Sequence, residues 1–421
     1  MDNQQVDCGC DQVVQPLMST TDALDFLLNA APKNTNTRSV ALDDALGQIL
    51  ASDVCSSINV PGFDNSAMDG YAINLKNDQV NIPGGFAFDI TDRIPAGSTG
   101  KTINPGCCAR IFTGAPTPKG ANTVIMQEEC ELIDNDSKIE IYRPISLNEN
   151  IRPMGNDIAN GDVILRAGIK LRPQDIALAA SVGVDTLEVF DKIKVGVFFT
   201  GDELVDPGGE LKDGQIFNSN RYTLVALLNN MGCEVVNLGN VEDTLDSTCN
   251  ALEQLKSSCG LIMTTGGVSV GEEDHVRPAV EKLGNLNLWR IKIKPGKPLA
   301  FGNVGDSQFI GLPGNPVSAM VTFLLFARPF IRKMQGIENC ANNSIKVAAN
   351  FNWNRSKPRR EFIRVRLDNS TTPAKANQYP KQGSDVLSSM VWADGLIEIP
   401  EKTTFNQGEI LNFYPLNEMM S

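Results

Sequence analysis

The residues best suited to chemistry begin where an apolar run ends, between Leu261 and Asp274. Two consecutive glycines, Gly266 and Gly267, follow the run, and Ser269 and Asp274 come after them. Glycines let a backbone approach an anion closely and turn its N–H groups toward it, whereas carboxylates hold a hard cation that bridges the anion. The stretch therefore predicts a phosphate and metal loop. The alternative interpretation is an ordinary strand-to-helix turn with a solvated acidic start.

A run of cations follows about twenty residues later in the sequence. Arg290, Lys292 and Lys294 alternate with apolar residues, and the period of a β-strand would place the three charges on one face. Lys297 follows after a Pro-Gly pair. Like charges this close together repel each other unless an anion lies among them. The run is positively charged in a chain whose formal net charge is −13, which favours an anion site. The alternative interpretation is a solvated edge strand carrying lysines.

Another turn with chemical potential follows an apolar strand that begins at residue 309, where Pro313, Gly314 and Asn315 occur in succession. Asn315 and Pro316 fit the N-cap and the first position of a helix that also contains Ser318. The free N–H groups at the start of a helix attract anions. These residues are therefore candidate contacts for a phosphate-bearing substrate.

Strands and helices alternate between residues 191 and 335, which predicts a doubly wound, mostly parallel sheet. Three of the expected strands end in glycine-bearing turns, at Thr200-Gly201, Gly266-Gly267 and Pro313-Gly314. Since the carboxyl ends of parallel strands lie at one edge of a sheet, these turns are expected to converge on one crevice. The expected strands are at 193–199, 233–238, 261–265, 288–293 and from 309, and the expected helices are at 223–230, 245–256 and up to 334.

The remainder of the chain is expected to form smaller domains of a multidomain α/β protein. Residues 59–153 predict a small β domain, because short β-like runs alternate with Pro and Gly turns, and residues 336–421 predict a C-terminal domain resembling a β-barrel. Residues 1–58 and 154–190 are assigned to a discontinuous N-terminal and linker domain. Its expected helices are amphipathic segments at 24–31 and 42–50 and a helix that begins at Pro173 and ends near Gly183.

Two loops outside the sheet domain are candidates for function. An irregular polar loop runs from Pro61 to Tyr71 in the small β domain, and functional residues concentrate on such loops. The alternative is a plain turn before a strand. In the C-terminal domain the segment from Lys381 to Ser384 is the only comparable loop.

Composition excludes several classes of protein. The 421 residues carry 50 acidic and 37 basic side chains, which argues against a nucleic-acid surface and against binding to an acidic membrane face. The longest apolar stretch, from Val317 to Phe326, is too short to span a bilayer. The first 18 residues lack the features of a secretory signal, so a cytoplasmic location is expected. Ten cysteines without a dense framework indicate reduced thiols.

The single histidine, His275, excludes a histidine-rich zinc or iron site. A Ser/His/Asp triad is possible only if His275 is its base. Transfer chemistry in this chain must therefore rely on carboxylates, cations and a metal.

Six motifs together resemble the molybdopterin molybdenumtransferases, the family called MoeA in bacteria and related to the E domain of gephyrin. They occur in the family's order and span nearly the whole chain. The loop at 61–72 separates this family from the molybdopterin adenylyltransferases, whose sheet domain is similar. The motifs are Pro-Gly-Phe-Asp-Asn-Ser-Ala-Met-Asp-Gly-Tyr-Ala at 61–72, Thr-Gly-Ala-Pro at 113–116, Thr-Gly-Asp-Glu-Leu at 200–204, Gly-Gly-Val-Ser-Val-Gly at 266–271, Ile-Lys-Pro-Gly-Lys-Pro at 293–298 and Gly-Leu-Pro-Gly-Asn-Pro-Val-Ser at 311–318.

The resemblance implies a homodimer in which adenylylated molybdopterin and molybdate react, with magnesium or a similar divalent cation, to give molybdenum cofactor and AMP. It makes a molybdopterin adenylyltransferase a candidate partner. Arg290 stands where the family leads us to expect a lysine. The site residues implied by motif are Asp69, Asp157 and Thr113, together with an acidic set of Glu203, Asp243 and Asp274, of which Glu203 and Asp274 are the expected metal ligands.

Two other functions remain open at this point. An adenylyltransferase would act one step earlier and consume ATP, whereas a non-catalytic scaffold would bind the pterin without turnover. Release of AMP from adenylylated molybdopterin in the presence of molybdate and magnesium would distinguish them.

Overall fold

The computed structural model describes residues 17–76, 79, 85–267 and 274–420. The chain forms two compact units. The insert unit comprises Ser39–Val189, and the terminal unit comprises Met1–Arg38 together with Phe190–Ser421. The first element is the helix α1 (Thr20–Ala30), whose N-terminus is capped by the Ser19 hydroxyl through a 3.1 Å bond from the Asp22 N–H. It belongs to the terminal unit.

The insert unit is built mainly of short antiparallel strands, as the frequent turns predict. Its elements are β1 (Thr37–Ala41), β2 (Val54–Cys55), β3 (Asn65–Ser66), β4 (Gly70–Ile73), β5 (Phe86–Ile94), β6 (Cys107–Ile111), β7 (Thr123–Met126), β8 (Glu131–Ile133), β9 (Lys138–Ile141), β10 (Ile151–Arg152), β11 (Val163–Leu165), α2 (Pro173–Ser181) and β12 (Thr186–Phe190). Strands β1 and β12 each extend past a border of the unit. The central sheet has six strands in the order β7-β4-β6-β5-β9-β8, in which only the β5 and β6 pair is parallel.

One predicted helix of this unit is wrong. Between residues 42 and 50 the structure contains a single 3₁₀ turn, Leu42–Asp44, instead of an amphipathic helix. Gly47 adopts a positive φ of 74°, and Ile49 and Leu50 form antiparallel bridges with residues from distant segments. Tertiary pairing has therefore overridden a local pattern with helical spacing. By contrast, the helix predicted to begin at Pro173 is confirmed as α2.

The terminal unit contains the predicted α/β sheet. Its six strands have the order β16-β13-β17-β21-β20-β18, and the first four of these are parallel. Its elements are β13 (Lys194–Phe199), β14 (Leu204–Val205), β15 (Ile216–Phe217), α3 (Ser219–Asn230), β16 (Glu234–Asn240), α4 (Leu245–Lys256), β17 (Leu261–Thr265), α5 (Val276–Leu283), β18 (Gly284–Arg290), β19 (Ile293–Lys294), β20 (Pro298–Val304), β21 (Ser307–Leu312), α6 (Pro316–Thr322) and α7 (Arg328–Met334).

The long apolar helix predicted to end near Met334 is present, with a π-helical turn at Phe323–Ala327 between α6 and α7. The strand predicted at 288–293 is interrupted. It ends at Arg290, and the chain then leaves the α/β sheet and forms β19 in a second sheet. Ile291 and Ile293 remain fully buried, so the two-residue burial alternation survives although the strand does not continue.

The second sheet of the terminal unit closes on itself. Its order is β19-β23-β24-β22-β26-β25, and β23 also pairs with β25, so five strands form a closed barrel with β19 attached at its side. This confirms the predicted C-terminal β-barrel-like domain. Its elements are β22 (Ile345–Ala349), β23 (Arg360–Asp368), β24 (Lys375–Gln378), α8 (Ser388–Trp392), β25 (Gly395–Ile399), β26 (Ile410–Pro415) and α9 (Leu416–Met420).

Within the described residues, no helix combines the length and the apolar character that crossing a membrane requires. The eight cysteines that the structure describes are all free thiols.

Candidate functional site

Three strand ends of the terminal unit meet at one cleft of about 1170 Å³. The neighbouring parallel strands β13, β17 and β21 are followed by Thr200, Gly266 and Pro313, and all three residues line this cleft. The chain passes from β13 to β16 on one side and then to β17 on the other, so the cleft lies where the strand order reverses. The predicted convergence of the three turns is therefore found.

Hydrogen bonds join these turns to one another. The Gly266 N–H donates to the Leu312 carbonyl at 3.0 Å. The side-chain amide of Asn220, in the first turn of α3, donates to the Gly314 carbonyl at 2.6 Å and to the Thr265 hydroxyl at 3.2 Å. The cleft floor is thus held by contacts among three separate segments of sequence.

The helix that begins at Pro316 opens onto the cleft, with Gly314 and Asn315 exposed. Asn315 is the N-cap residue and Pro316 the first residue of the helix, as predicted, although the Asn315 side chain makes no capping hydrogen bond. The Val317 N–H is already used, because it donates to the Ser384 carbonyl at 3.0 Å. Ser318, a predicted contact for a phosphate-bearing substrate, is buried and lines the cleft.

A loop of the C-terminal domain completes the rim of the cleft with Ser384, which lies in the segment named as a candidate for function. Arg364, which is 1% exposed, holds the loop in place. Its guanidinium donates to the Gly383 carbonyl at 2.8 Å and to the Ser389 hydroxyl at 2.9 Å. Burial lowers the pKa of Arg364 to about 10.

Two of the four predicted cations line the cleft, namely Lys294 and Lys297. Arg290 and Lys292 are not among its lining residues, because the chain crosses between the two sheets at this point. The Lys292 backbone there accepts a bond from the Arg360 N–H at 2.9 Å.

Arg359 lines the cleft although no sequence argument identified it. The signal that could have found it is the basic cluster between Arg355 and Arg360, in a chain whose overall charge is strongly negative. Asn220 was missed as well, because a single asparagine in a helix gives no sequence signal.

Of the three predicted acidic residues, only Glu203 is among those lining the cleft. Glu203 is exposed and lines the cleft. The Asp274 carboxylate accepts hydrogen bonds from the backbone N–H groups of Val276 at 3.2 Å and Arg277 at 3.4 Å, at the start of α5. Asp243 lies between β16 and α4 and is not among the cleft-lining residues. Across the described part of the chain, no three or more His, Cys, Asp or Glu side chains cluster as a metal site.

The turn after β17 begins with the predicted pair of glycines. Gly267 has a φ of 61°, and a Cβ there would lie 2.5 Å from the Val276 Cγ2 atom, so glycine is required. Ser269, a predicted substrate contact, lies outside the described residues.

Two of the predicted residues of the insert unit, Asp69 and Thr113, are in direct contact. One oxygen of the exposed Asp69 carboxylate accepts two hydrogen bonds from Thr113, from the backbone N–H at 2.7 Å and from the hydroxyl at 2.8 Å. These bonds, with the backbone one strongest, and the positive charge of Arg110 lower the pKa of Asp69.

Asp157 lies on a segment joined to the loop that contains Asp69. Strands β3 and β10 pair, and the Gly155 N–H donates to the Pro61 carbonyl at 2.9 Å. The Asp64 carboxylate accepts a bond of 2.7 Å from the Met154 N–H. The irregular loop predicted from Pro61 is therefore hydrogen-bonded to the segment that contains Asp157.

Comparison with known families accounts for most of the chain. Residues 18–183 match the model described as the MoeA N-terminal region, domains I and II. Residues 196–333 match a probable molybdopterin binding domain, and residues 346–416 match the MoeA C-terminal region, domain IV.

Individual relatives agree with these matches. A molybdopterin molybdenumtransferase of Haemophilus influenzae is 37% identical over 408 residues, covering 96% of this chain and 100% of the relative. The enzyme of the same name from a Nostoc species is 35% identical over 333 residues, 76% of each chain. The crystal structure of the molybdopterin biosynthesis MoeA protein of Pyrococcus horikoshii superposes with a TM-score of 0.82 at 30% identity, covering 95% of this chain and 100% of that chain. The chain therefore belongs to the molybdopterin molybdenumtransferase (MoeA) family.

Proposed function

We propose that this protein is a molybdopterin molybdenumtransferase that inserts molybdate into adenylylated molybdopterin and releases AMP, in the biosynthesis of molybdenum cofactor. The observation that carries the proposal is the cleft in which Lys294, Lys297 and Arg359 meet three strand ends and a helix N-terminus. Its relatives of known name, which share the full set of matching regions, support the same reaction.

The reaction requires a site for two anions. The phosphoanhydride bond between AMP and the pterin phosphate breaks while molybdate is delivered, so negatively charged groups must be held close together. Lysine and arginine side chains and preorganised N–H groups offset the repulsion between such groups. Gly266, Pro313, Gly314, Asn315, Ser318 and Ser384 are the proposed backbone and side-chain contacts at the rim and floor of this cleft.

We further propose that magnesium takes part, with Glu203 and Asp274 as its protein ligands. Magnesium in phosphoryl-transfer sites is commonly held by one or two carboxylates plus substrate phosphates. The exposed, cleft-lining carboxylate of Glu203 is suited to this mode of binding. When bound, the ion would offset phosphate charge at the bond that breaks. Asp243 is proposed to add to the negative potential that attracts the cation.

The insert unit is proposed to act in transfer, through Asp69, Thr113 and Asp157. The ionised state of Asp69, favoured by its two bonds from Thr113, suits a carboxylate that acts during the reaction. A homodimer and an upstream molybdopterin adenylyltransferase that supplies the substrate are part of this proposal.

The test is release of AMP from adenylylated molybdopterin by the purified full-length protein. We expect release that depends on both molybdate and magnesium, and no consumption of ATP. Asp69→Asn should bind the adenylylated pterin as the parent does but lose molybdate-dependent release, the pattern of an interaction made mainly in the transition state. Binding without any turnover by the parent would identify a scaffold, and ATP consumption would identify an adenylyltransferase.

A further inference from the structure

A buried carboxylate lies behind the cleft and contacts two lysines. Glu361, on β23, has a side chain that is only 5% exposed. Its carboxylate lies 3.4 Å from the Lys294 ammonium and 2.8 Å from the Lys357 ammonium. Neither Glu361 nor Lys357 lines the cleft, whereas Lys294 does.

The backbone fixes this arrangement. Strand β19 pairs with β23 in parallel register, with Lys294 opposite Glu361. The lysine is thus supplied by the segment that leaves the α/β sheet, and the carboxylate by the barrel. A buried carboxylate that lost its partners would carry a large desolvation penalty, so the ion pair holds both groups in place.

We propose that Glu361 is a positioning residue for anion binding: it holds the Lys294 ammonium at the cleft in its charged form, and Lys357 weakens that hold by sharing the same carboxylate. This inference deepens the proposed function and rests on it, because it concerns the cation that would meet the substrate phosphates.

The charges around Lys294 predict that two substitutions change its pKa in opposite directions. Partial burial lowers the pKa of Lys294, the negative charge of Glu361 opposes that lowering, and the positive charge of Lys357 adds to it. These two side chains make the largest charge contributions at Lys294, and Glu203, Lys297, Arg359 and Asp385 line the same cleft. Removing the charge of Glu361 must therefore lower the pKa of Lys294 further, whereas removing the charge of Lys357 must raise it.

The experiment is calorimetric titration of the full-length protein with inorganic pyrophosphate, repeated from neutral pH into the alkaline range. Affinity is expected to fall as pH rises through the pKa of Lys294, because only the ammonium form attracts the anion. In Glu361→Gln the fall should begin about 1 pH unit lower than in the parent, and in Lys357→Met it should begin at a higher pH. Lys346→Met, on the barrel strand β22 and not a cleft-lining residue, should leave the profile unchanged.

A double variant connects the effect to Lys294. In a Lys294→Met background, adding Glu361→Gln should no longer move the pH profile, because the titrating group is gone. Equal profiles for the parent, Glu361→Gln and Lys357→Met, or shifts in the same direction, would overturn the inference. If Glu361→Gln does not fold, the pH profile of Lys357→Met decides by itself, and a profile equal to that of the parent overturns the inference. Opposite shifts without AMP release would instead reject the proposed transferase and leave the role of Glu361 standing.

Discussion

Asp69 and Thr113, 44 positions apart in the sequence, form a two-pronged contact in which one carboxylate oxygen accepts both the Thr113 N–H and the Thr113 hydroxyl. Both bonds favour the ionised carboxylate and lower its pKa. The contact also fixes the Asp69 side chain to the turn that follows β6. The resemblance implies that Thr113 is a contact neighbouring the site acids, and these two bonds give it a physical role: it positions the Asp69 carboxylate and favours its ionised form.

Thr113→Val should shift the acid side of the pH profile of turnover. The substitution removes the hydroxyl bond but keeps the backbone bond, so the pKa of Asp69 rises from its lowered value. If the reaction needs ionised Asp69, activity is lost as pH falls through that pKa, and in Thr113→Val the loss begins at a higher pH. Thr113→Ser keeps the hydroxyl and should follow the parent. The measurement is kcat/KM for AMP release across the acid range, and coincident profiles would separate Asp69 ionisation from turnover.

Arg359→Gln should weaken binding of the phosphate-bearing pterin. Arg359 lines the cleft, and a charge-assisted contact with an anion is worth about 1.5–3 kcal/mol. The dissociation constant should rise roughly 10- to 150-fold, and the remaining binding should depend less on salt. Arg355→Gln is the matched control, because Arg355 is exposed in the same basic segment but is not a cleft-lining residue. Equal losses in the two variants would indicate a general field effect and no direct contact.

Gly296→Ala should destabilise the terminal unit and impair the cleft. Gly296 has a φ of 100°, and a Cβ there would lie 2.3 Å from the buried Thr322 hydroxyl. Backbone strain of about 1–2 kcal/mol and overpacking of about 1–3 kcal/mol both oppose the alanine. Gly305→Ala is the control: Gly305 also has a positive φ, of 58°, but a Cβ there would lie 3.6 Å from its nearest neighbour, the flexible Lys256 side chain. Urea unfolding should show the larger loss for Gly296→Ala; similar losses would assign the effect to the backbone alone.

Local pattern predicted the parts of the site that depend on strand ends. The turns at Thr200, Gly266 and Pro313 converge because adjacent parallel strands end at one sheet edge, a rule that needs only the order of elements. Alternating apolar residues between turns predicted the β character of the C-terminal domain, whereas its closure depends on the pairing of β23 with β25.

Pairings between distant segments were not predictable in the same way. Lys294 contacts Glu361 because strand β19 pairs with strand β23. Arg359, which lines the cleft, immediately precedes β23. The helix expected at 42–50 failed for a related reason, since Ile49 and Leu50 pair with Lys170 and Val189 from far along the chain. Such partners leave no periodic signal in a single sequence.

Substitutions at Asp274 can separate two roles of this residue, a magnesium ligand and a cap for α5. Its carboxylate accepts the Val276 and Arg277 N–H groups, and asparagine caps helices about as well as aspartate. Asp274→Asn should therefore keep the stability of the parent while losing the negative charge that a hard cation requires. Asp274→Ala should lose the cap as well and reduce the free energy of unfolding by about 1 kcal/mol.

Glu203→Gln provides the comparison at an exposed, cleft-lining carboxylate. AMP release is measured against magnesium concentration for Asp274→Asn, Asp274→Ala and Glu203→Gln, alongside thermal unfolding. If Asp274 holds magnesium, Asp274→Asn and Glu203→Gln should both fail at magnesium concentrations that support the parent, with unchanged unfolding. If Asp274→Asn turns over normally at low magnesium while Asp274→Ala is less stable, Asp274 is a helix cap and Glu203 must bind the ion with substrate phosphates alone.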